Sequence, residues 1–470
     1  MNETILSITA LADDGRGVAK LDGKVYFVTG ALPNQTVRAR ITQEKKRYAQ
    51  AECLELLCDM PDAQPPLCRH AAQCGGCPLQ TMPYEQQLTW KTSMVRDAFA
   101  RIAHMPDVTV QPALAAPATR AYRNKMEFAF GKDAQGGLVL GLRALGSRDV
   151  FDVRDCQLMP EPAMAIIQAV RKGARATQLP AYDWQGQANT RRAVATKTAG
   201  FWRFAVLRHA LDAQGQAGWW LSIITSRGNG LAYSAVQELG QSLLAEFPQL
   251  RGFVHDIRTQ HDSLALGEKR LAALGAEGAT MHHELGGQRF ELDINSFFQV
   301  NTAAAQKLCA ATCAAMPAAQ ADHKPVLWDL YCGVGAPGLL LAGQAAHVLG
   351  VEYDRNAARF AAHNARAAGY DHCRYHAGDT AAVLAALPPE KKQPDIVLTD
   401  PPRSGMTSAV VQALLEAQPE RIIALSCNPA TLARDVALLV AGGYVVQQVQ
   451  PIDLFPHTMH IESVCLLIRA

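Results

Sequence analysis

The stretch PVLWDLYCGVG, residues 325–335, decides the fold of the C-terminal part of the chain, because an apolar run ends there in a glycine-rich turn. The same pattern recurs in HVLGVEY (347–353), PDIVLTD (394–400) and RIIALSC (421–427), and Ala-rich helical stretches alternate with these runs. This alternation predicts parallel strands joined by crossover helices. We therefore predict a doubly wound, Rossmann-like α/β domain that binds its ligands at the carboxyl ends of the strands.

The chain has 470 residues, more than a single hydrophobic core usually supports, so we expect further domains upstream. Residues 1–60 contain short β-rich runs separated by Asp-Gly turns, which predicts an OB-like β-barrel of the kind that binds nucleic acid. A proline-rich linker follows, and mixed patterns then predict an α+β central domain over 61–290. The α/β domain occupies 291–470.

The overall composition narrows the class of protein. Hydrophobic residues make up 49% of the chain and charged residues 19%, which excludes a disordered protein. The sequence contains no apolar run near the ~20 residues that a membrane span requires, and its first residues lack the features of a signal peptide. We therefore expect a cytoplasmic protein with no membrane partner.

The net charge of +2 conceals a basic section, since residues 120–210 contain 15 Lys and Arg against 7 Asp and Glu. This excess is typical either of a surface for a polyanion or of an unevenly charged solvent face. Phe201, Trp202 and Phe204 are suited either to stack on displaced bases or to fill a core. The basic residues of the section include Arg120, Arg123, Lys125, Arg191, Arg192, Lys197, Arg203 and Arg208.

The glycine-rich turn at Gly333 and Gly335 predicts a ligand pocket, because glycine lets the backbone approach a ligand closely. Glu352 ends the next predicted strand, where an acidic side chain binds ribose hydroxyls, and Asp379 is suited to the edge of adenine. Together these residues favour a pocket for S-adenosylmethionine over a purely structural turn.

Three further residues suit a covalent reaction near that pocket. Asp400 and Cys427 follow predicted strands, and Cys427 precedes a helix whose amino end favours a thiolate. Glu462 enters an apolar final strand, where a carboxylate is costly unless it faces a polar pocket. The alternatives are a buried structural cysteine and a salt-bridged edge glutamate.

The methylation of uracil requires this set of groups. Carbon 5 of uracil is too weakly nucleophilic to take a methyl group directly, and a thiolate that adds to carbon 6 turns it into an enolate carbon. A carboxylate must then remove the proton of carbon 5. Because carbon 6 is inaccessible in a stacked helix, the target base must be flipped out.

The segments DLYCGVG, TDPPRSG, LSCNPATLARD and FPHTMHIES resemble those of the RNA uracil-5-methyltransferases that use S-adenosylmethionine. The resemblance covers nearly the whole chain. It implies that Cys427 is the nucleophile and Glu462 the base. The donor-binding positions that it implies are Gln299, Tyr331, Ala336, Glu352, Asp379 and Asp400, of which Ala336 offers only its backbone.

Cys68, Cys74 and Cys77 form a C-x5-C-x2-C cluster, which predicts an iron–sulfur or zinc site. Cys156 is the favoured fourth ligand, and Cys53 with Cys58 is the alternative pair. The pattern resembles the 23S ribosomal RNA branch of the family, which implies a [4Fe-4S] cluster on Cys68, Cys74, Cys77 and Cys156 and a TRAM domain as the barrel. We expect the cluster to fasten the central domain, and a redox role is the rival hypothesis.

The partner implied by the resemblance is 23S ribosomal RNA, and we expect a monomer. Three alternatives stay open. The first is another uridine, in transfer RNA or elsewhere in ribosomal RNA, and the second is an RNA-binding ribosome assembly factor. The third, a DNA-amine methyltransferase, is disfavoured because those enzymes place an aromatic residue after Asp-Pro-Pro and need no cysteine, so we expect no DNA partner.

Overall fold

The structure is a computed structural model that describes residues 3–12, 14–184, 200–317 and 324–470. Its N-terminal sheet has the strand order β1-β5-β6-β4-β3-β2, and β1 also contacts β3, so that the sheet curls around Leu6, Val28 and Val37. Asp22 and Gly23 take φ angles of 49° and 76°, as a two-residue hairpin turn requires. The strands are β1 (Glu3–Ser7), β2 (Ala10–Leu11), β3 (Gly17–Leu21), β4 (Lys24–Thr29), β5 (Thr36–Glu44) and β6 (Tyr48–Cys58).

A second, mixed sheet forms the centre of the molecule, after the long helix α1 (Tyr84–Arg101). Its elements are β7 (Lys125–Lys132), β8 (Leu138–Arg143), β9 (Val150–Asp152), α2 (Ala163–Ala176), β10 (Trp202–Leu211), β11 (Ala217–Thr225), α3 (Gly230–Glu246), β12 (Leu250–Ile257), β13 (Lys269–Leu274), β14 (Thr280–Leu285) and β15 (Gln288–Asp293). The strand order is β13-β12-β11-β10-β7-β8-β9, and the hairpin of β14 and β15 joins it at β10.

The third sheet confirms the predicted doubly wound domain. Its order is β18-β17-β16-β19-β20-β22-β21, in which the first five strands are parallel and β22 is antiparallel to both neighbours. The elements are α4 (Thr302–Ala314), β16 (Val326–Leu330), α5 (Ala336–Leu341), β17 (His347–Glu352), α6 (Arg355–Ala367), β18 (Cys373–Ala377), α7 (Thr380–Ala386), β19 (Ile396–Thr399), α8 (Ser408–Ala417), β20 (Arg421–Ser426), α9 (Pro429–Ala441), β21 (Tyr444–Ile452) and β22 (Glu462–Arg469).

Helix α1 packs against α9 and β21 of this third sheet, although it precedes the whole central sheet in the chain. Val95 and Phe99 of α1 share a core with Val436 and Leu439 of α9. The segment before the central sheet therefore reaches the α/β domain directly. The domain limits 1–60, 61–290 and 291–470 stay a prediction.

The basic section 120–210 does not form the predicted surface as a whole. Arg203 and Arg208 are buried, and their guanidinium groups donate to backbone carbonyls such as those of Arg258 (2.9 Å) and Ile294 (2.8 Å). Arg191, Arg192 and Lys197 lie outside the described residues.

The stacking role suggested for Phe201, Trp202 and Phe204 is wrong, because all three rings are buried in cores of the central sheet. In the described part of the chain, no helix is both long and apolar enough to cross a bilayer.

Candidate active site

A cavity of about 1100 Å³ lies at the carboxyl ends of the parallel strands. Adjoining it, a smaller cavity includes Ala336 and shares Gln299, Tyr331 and Asp400 with the larger one. The sequence-predicted residues that line the larger cavity are Gln299, Tyr331, Glu352, Asp379, Asp400, Cys427 and Glu462. These residues lie far apart in the chain, and the fold brings them to one site.

The glycine-rich turn after β16 has the backbone shape of a ligand cradle. Tyr331, Gly333 and Gly335 have φ angles of 64°, 56° and 87°. A Cβ atom on Gly335 would lie 3.1 Å from the Cβ of Ala361, so a larger residue is disfavoured there. Glu352 fixes the turn, because its carboxylate accepts hydrogen bonds from the backbone N–H of Gly333 (2.9 Å) and of Asp354 (2.8 Å).

Asp379 and Tyr331 form the next part of the wall. Asp379 caps α7, since its Oδ1 accepts a hydrogen bond from the Ala382 N–H at 3.0 Å. Burial raises the pKa of Tyr331 to about 12, while a hydrogen bond with Thr380 opposes that shift. The Tyr331 hydroxyl is therefore protonated and offers a polar group beside the predicted adenine position.

The reaction side of the cavity is buried and rich in acidic groups. Glu462 is 6% exposed, and burial raises its pKa well above the ordinary value, with a further contribution from Asp400. Burial also raises the pKa of Asp400 to about 6. The half-buried Cys427 precedes helix α9, as the sequence predicts, and Asn428 is the cap of that helix.

The amino end of α9 favours a thiolate at Cys427, as the sequence predicts, and two other features of the site oppose it. Burial raises the pKa of the Cys427 thiol, and the nearby Glu462 carboxylate raises it further. A pKa raised above the ordinary thiol value leaves Cys427 as the protonated thiol at neutral pH in the protein alone.

Arg403 is a site residue that the sequence reasoning left without a role. It lines the same cavity, and its hydrogen bond and positive charge lower the pKa of Cys427 against the opposing effect of burial. Its Nη2 lies 3.0 Å from Nδ1 of His460. Burial lowers the pKa of His460 to about 4, so this imidazole is neutral and can accept from the guanidinium. The signal was present, because Arg403 lies within the quoted segment TDPPRSG.

The opposite wall of the cavity comes from the central sheet. Asp256, which is 1% exposed, accepts hydrogen bonds from Arg270 (3.1 Å) and Asn295 (2.7 Å). Arg270 also forms a two-point ion pair with Asp293. Phe297 stands 70% exposed on the rim. The large cavity is therefore a cleft between the two sheets, with room beyond the glycine-rich turn for a second substrate.

A separate cavity of about 520 Å³ is lined by Cys68, Cys74, Cys77 and Cys156. The alternative cysteines, Cys53 and Cys58, lie instead on β6 of the N-terminal sheet. Within the described ranges, no three His, Cys, Asp or Glu side chains are grouped to hold a metal ion. Burial raises the pKa of Cys77 to about 12, and the nearby cysteines add to this shift.

Comparison with known proteins identifies the family. A protein of Nitratidesulfovibrio vulgaris described as an uncharacterized RNA methyltransferase is 38% identical over 98% of this chain and 95% of its own length. A second RNA methyltransferase, from Halalkalibacterium halodurans, is 32% identical over 98% of this chain and 96% of its own length. The sequence profile of the tRNA (Uracil-5-)-methyltransferases matches residues 383–470. The chain belongs to the RNA uracil-5-methyltransferase family.

The matching sequence profiles lie towards the two ends of the chain. The TRAM domain profile matches residues 5–54, which contain most of the N-terminal sheet. The solved Pyrococcus abyssi tRNA (uracil-54, C5)-methyltransferase, in complex with S-adenosyl-L-homocysteine, superposes with a TM-score of 0.73. That structure is 23% identical and covers 99% of this chain and 100% of its own, so it shows a shared fold. The protein is an S-adenosylmethionine-dependent RNA methyltransferase with an N-terminal TRAM domain.

Proposed function

We propose that this methyltransferase acts on carbon 5 of a uridine in 23S ribosomal RNA, through a covalent bond between Cys427 and carbon 6 of uracil. The observation that carries the proposal is the single cavity that contains Cys427, Glu462 and the donor-side residues Glu352 and Asp379. A nucleophile, a base and a methyl donor must meet at one pyrimidine ring for this reaction.

In the proposed reaction, the Cys427 thiol first loses its proton to solvent. The resulting thiolate bonds to carbon 6, and the electron pair of the C5=C6 bond moves to form an enolate. Carbon 5 then bonds to the donor's methyl carbon, while the methyl–sulfur bond breaks and its electron pair stays on the donor's sulfur. The Glu462 carboxylate takes the proton from carbon 5, the C5=C6 bond forms again, and Cys427 leaves as the thiolate. The uracil has gained a methyl group and lost one proton, which Glu462 passes to solvent.

The electrostatics of the site support this order of events. The Glu462 carboxylate raises the pKa of the Cys427 thiol, and the positive charge of Arg403 acts to lower the pKa of both groups. Once the sulfur is bonded to carbon 6 it carries no charge, so the repulsion that Glu462 meets falls. A buried glutamate with a raised pKa is also a strong base for the proton of carbon 5.

The donor-side residues receive roles from the same arrangement. We assign Glu352 to the ribose hydroxyls and Asp379 to the adenine edge. Gln299, Tyr331 and Asp400 line the same cavity, and we assign them to the remaining parts of the donor, with Ala336 contributing its backbone. The positive φ angles at Gly333 and Gly335 support this assignment, because they open the turn to a ligand.

We further propose that Cys68, Cys74, Cys77 and Cys156 bind a [4Fe-4S] cluster. The shared cavity supports this ligand set, and so do backbone hydrogen bonds to two of the sulfurs, from His70 N–H to Cys68 (3.3 Å) and from Gly76 N–H to Cys74 (3.4 Å). Such bonds stabilise thiolates bound to iron. In a cluster each cysteine binds a different iron atom, so its ligands need not converge on one ion.

The choice of 23S ribosomal RNA rests on the combination of the TRAM domain with the cysteine cavity. Transfer RNA is the second candidate substrate, because the matching family profile and the solved relative both carry transfer RNA in their names. An assembly factor without catalysis is disfavoured, since it has no use for a cysteine and a glutamate that line a donor cavity.

Mass mapping of modified uridines tests the proposed function. Ribosomal and transfer RNA from cells with and without the gene should differ by one methyl group on a 23S uridine, and the purified protein should restore it. Loss of a methyl group from transfer RNA alone would replace the substrate assignment. No change in methylated uridine in either RNA would contradict the proposed function.

A further inference from the structure

A buried glutamine, Gln87 of α1, lies between the cysteine segment and the loop that leads to Glu462. Its side chain is fully buried. Its Nε2 donates to the carbonyls of Leu79 (3.1 Å) and Met82 (2.8 Å), and its Oε1 accepts from the backbone N–H of His457 (2.9 Å). One amide group therefore contacts two chain segments that are more than 370 positions apart.

The segment on one side of Gln87 continues directly into the cysteine cluster. Gln80 donates to the carbonyl of Cys77 (3.1 Å) and accepts from the N–H of Cys68 (3.2 Å). The adjacent Leu79 donates its N–H to the carbonyl of His457 (3.0 Å). The cysteine segment is therefore connected to the backbone of His457 through Leu79 and Gln87.

The segment on the other side is the loop between β21 and β22, which we call the 453–460 loop. It ends at His460, which contacts Arg403, and β22 begins two residues later at Glu462. His457 takes a φ angle of 69°, an unfavourable conformation for a residue with a side chain. Such a conformation persists only where its surroundings hold it, and Gln87 and Leu79 provide the contacts to its backbone.

Helix α1 also holds the start of the 453–460 loop. Lys91 and Asp453 form an ion pair at 2.7 Å with both side chains fully buried, and the Tyr84 hydroxyl lies 2.9 Å from the other oxygen of Asp453. Lys91 donates in addition to the carbonyl of Phe455 (3.0 Å). Polar side chains of a single helix thus hold the start and the middle of the loop.

We propose that Gln87 is a positioning residue that transmits the state of the cysteine segment to the 453–460 loop, and so to Arg403 and Glu462. The inference rests on the proposed function for its catalytic consequence, but the coupling between the two segments does not depend on which base is methylated. When the cysteine segment loses its metal, the 453–460 loop should become mobile. The guanidinium of Arg403 and the carboxylate of Glu462 should then lose their fixed positions.

The test compares Gln87→Met, which fills the same space without hydrogen bonds, with Gln86→Met as a matched control. Gln86 is the preceding residue of the same helix, and its amide faces the surface carboxylate of Asp62 (3.3 Å). Amide hydrogen exchange over 453–462 should be at least about tenfold faster in Gln87→Met. The kcat should fall about 10- to 100-fold with an unchanged KM for S-adenosylmethionine, and Gln86→Met should match the wild type.

Removal of iron by a chelator provides the second measurement. Exchange over 453–462 should rise in the wild type on iron loss and should change little in Gln87→Met, where the connection is already broken. If Gln87→Met does not fold, Gln87→Glu replaces it, because the carboxylate keeps the acceptor for His457 and loses the two carbonyl contacts. It should show an intermediate rate of exchange.

Wild-type exchange and kcat in both Gln87 variants would overturn the inference, even if methylation of a 23S uridine were demonstrated. Conversely, absence of uridine methylation by the wild type would contradict the proposed function, while the exchange data would still decide whether the two segments are coupled.

Discussion

On the donor half of the cavity, the carboxylates of Glu352 and Asp379 accept hydrogen bonds from the backbone N–H groups of Gly333 and Ala382. On the reaction half, Glu462 lies buried beside Asp400 and the Cys427 thiol, and burial raises the pKa values of all three. The donor half is a preformed receptor with its carboxylates already stabilised. The reaction half holds groups whose charge is unfavourable until a substrate arrives, so substitutions there should cost far more.

The largest effect should follow from Cys427→Ala. We expect methyl transfer to fall by about 10⁴-fold or more, because carbon 5 then lacks activation, while the Kd for S-adenosylmethionine changes less than about twofold. A timed assay with a donor that carries a labelled methyl group measures the rate of methyl transfer. Calorimetric titration with S-adenosylmethionine measures the Kd. Cys313→Ala, a half-buried cysteine of α4, serves as the control. Substantial turnover by Cys427→Ala would remove the distinction between the two halves.

The second effect concerns the release of the product. In Glu462→Gln the covalent bond to RNA should still form, and turnover should fall about 10³-fold because the proton of carbon 5 is no longer removed. Denaturing gels should show protein-bound RNA that accumulates after methyl transfer. Glu416→Gln, an exposed glutamate of α8, should behave as the wild type. If Glu462→Gln turns over normally, the base lies elsewhere.

The third prediction concerns the effect of Arg403 on the pKa of Cys427. Arg403 lowers the pKa of Cys427, so Arg403→Met should raise that pKa further. Each unit of increase lowers the thiolate fraction tenfold below the pKa, and we expect adduct formation at pH 7.5 to slow about tenfold. The rate of the variant should recover as the pH rises through the shifted pKa. Arg403→Lys should show a smaller shift, and an identical pH profile in all three proteins would contradict this role.

The smallest effects belong to the donor half. Asp379→Ala removes the cap of α7 and one polar contact, and we expect the KM for S-adenosylmethionine to rise about tenfold with kcat at saturation within about threefold of the wild type. Asp379→Asn, which keeps a capping oxygen, should raise the KM less. A kcat loss as large as that of Glu462→Gln would show that the two halves do not differ as described.

Much of the site could be predicted because the sequence marks the ends of parallel strands. Tyr331, Glu352, Asp400 and Cys427 each stand at or just after the end of a strand, and a doubly wound sheet brings such positions to one edge. Glu462 could be predicted as a site residue because a carboxylate in an apolar strand is energetically costly unless it faces a polar pocket.

Other features depend on the three-dimensional structure. The local sequence does not indicate that the side chains of Arg203 and Arg208 are buried, where their guanidinium groups donate to backbone carbonyls of distant segments. The sequence shows that Cys427 precedes the amino end of a helix, which favours a thiolate. It does not show the burial or the neighbouring Glu462, both of which raise the pKa of this thiol. The pairing of Lys91 with Asp453 joins positions far apart in the chain, and their spacing carries no signal.

The central claim is a covalent bond between Cys427 and carbon 6, and RNA that contains 5-fluorouridine tests it most directly. Fluorine at carbon 5 cannot leave as a proton, so an adduct that has received its methyl group persists. Mass spectrometry of the tryptic peptide 422–434 should then show Cys427 carrying a methylated fluorouridine nucleotide. Transfer of methyl groups to uridine RNA, with no nucleotide on Cys427 from the fluorinated RNA, would contradict the claim.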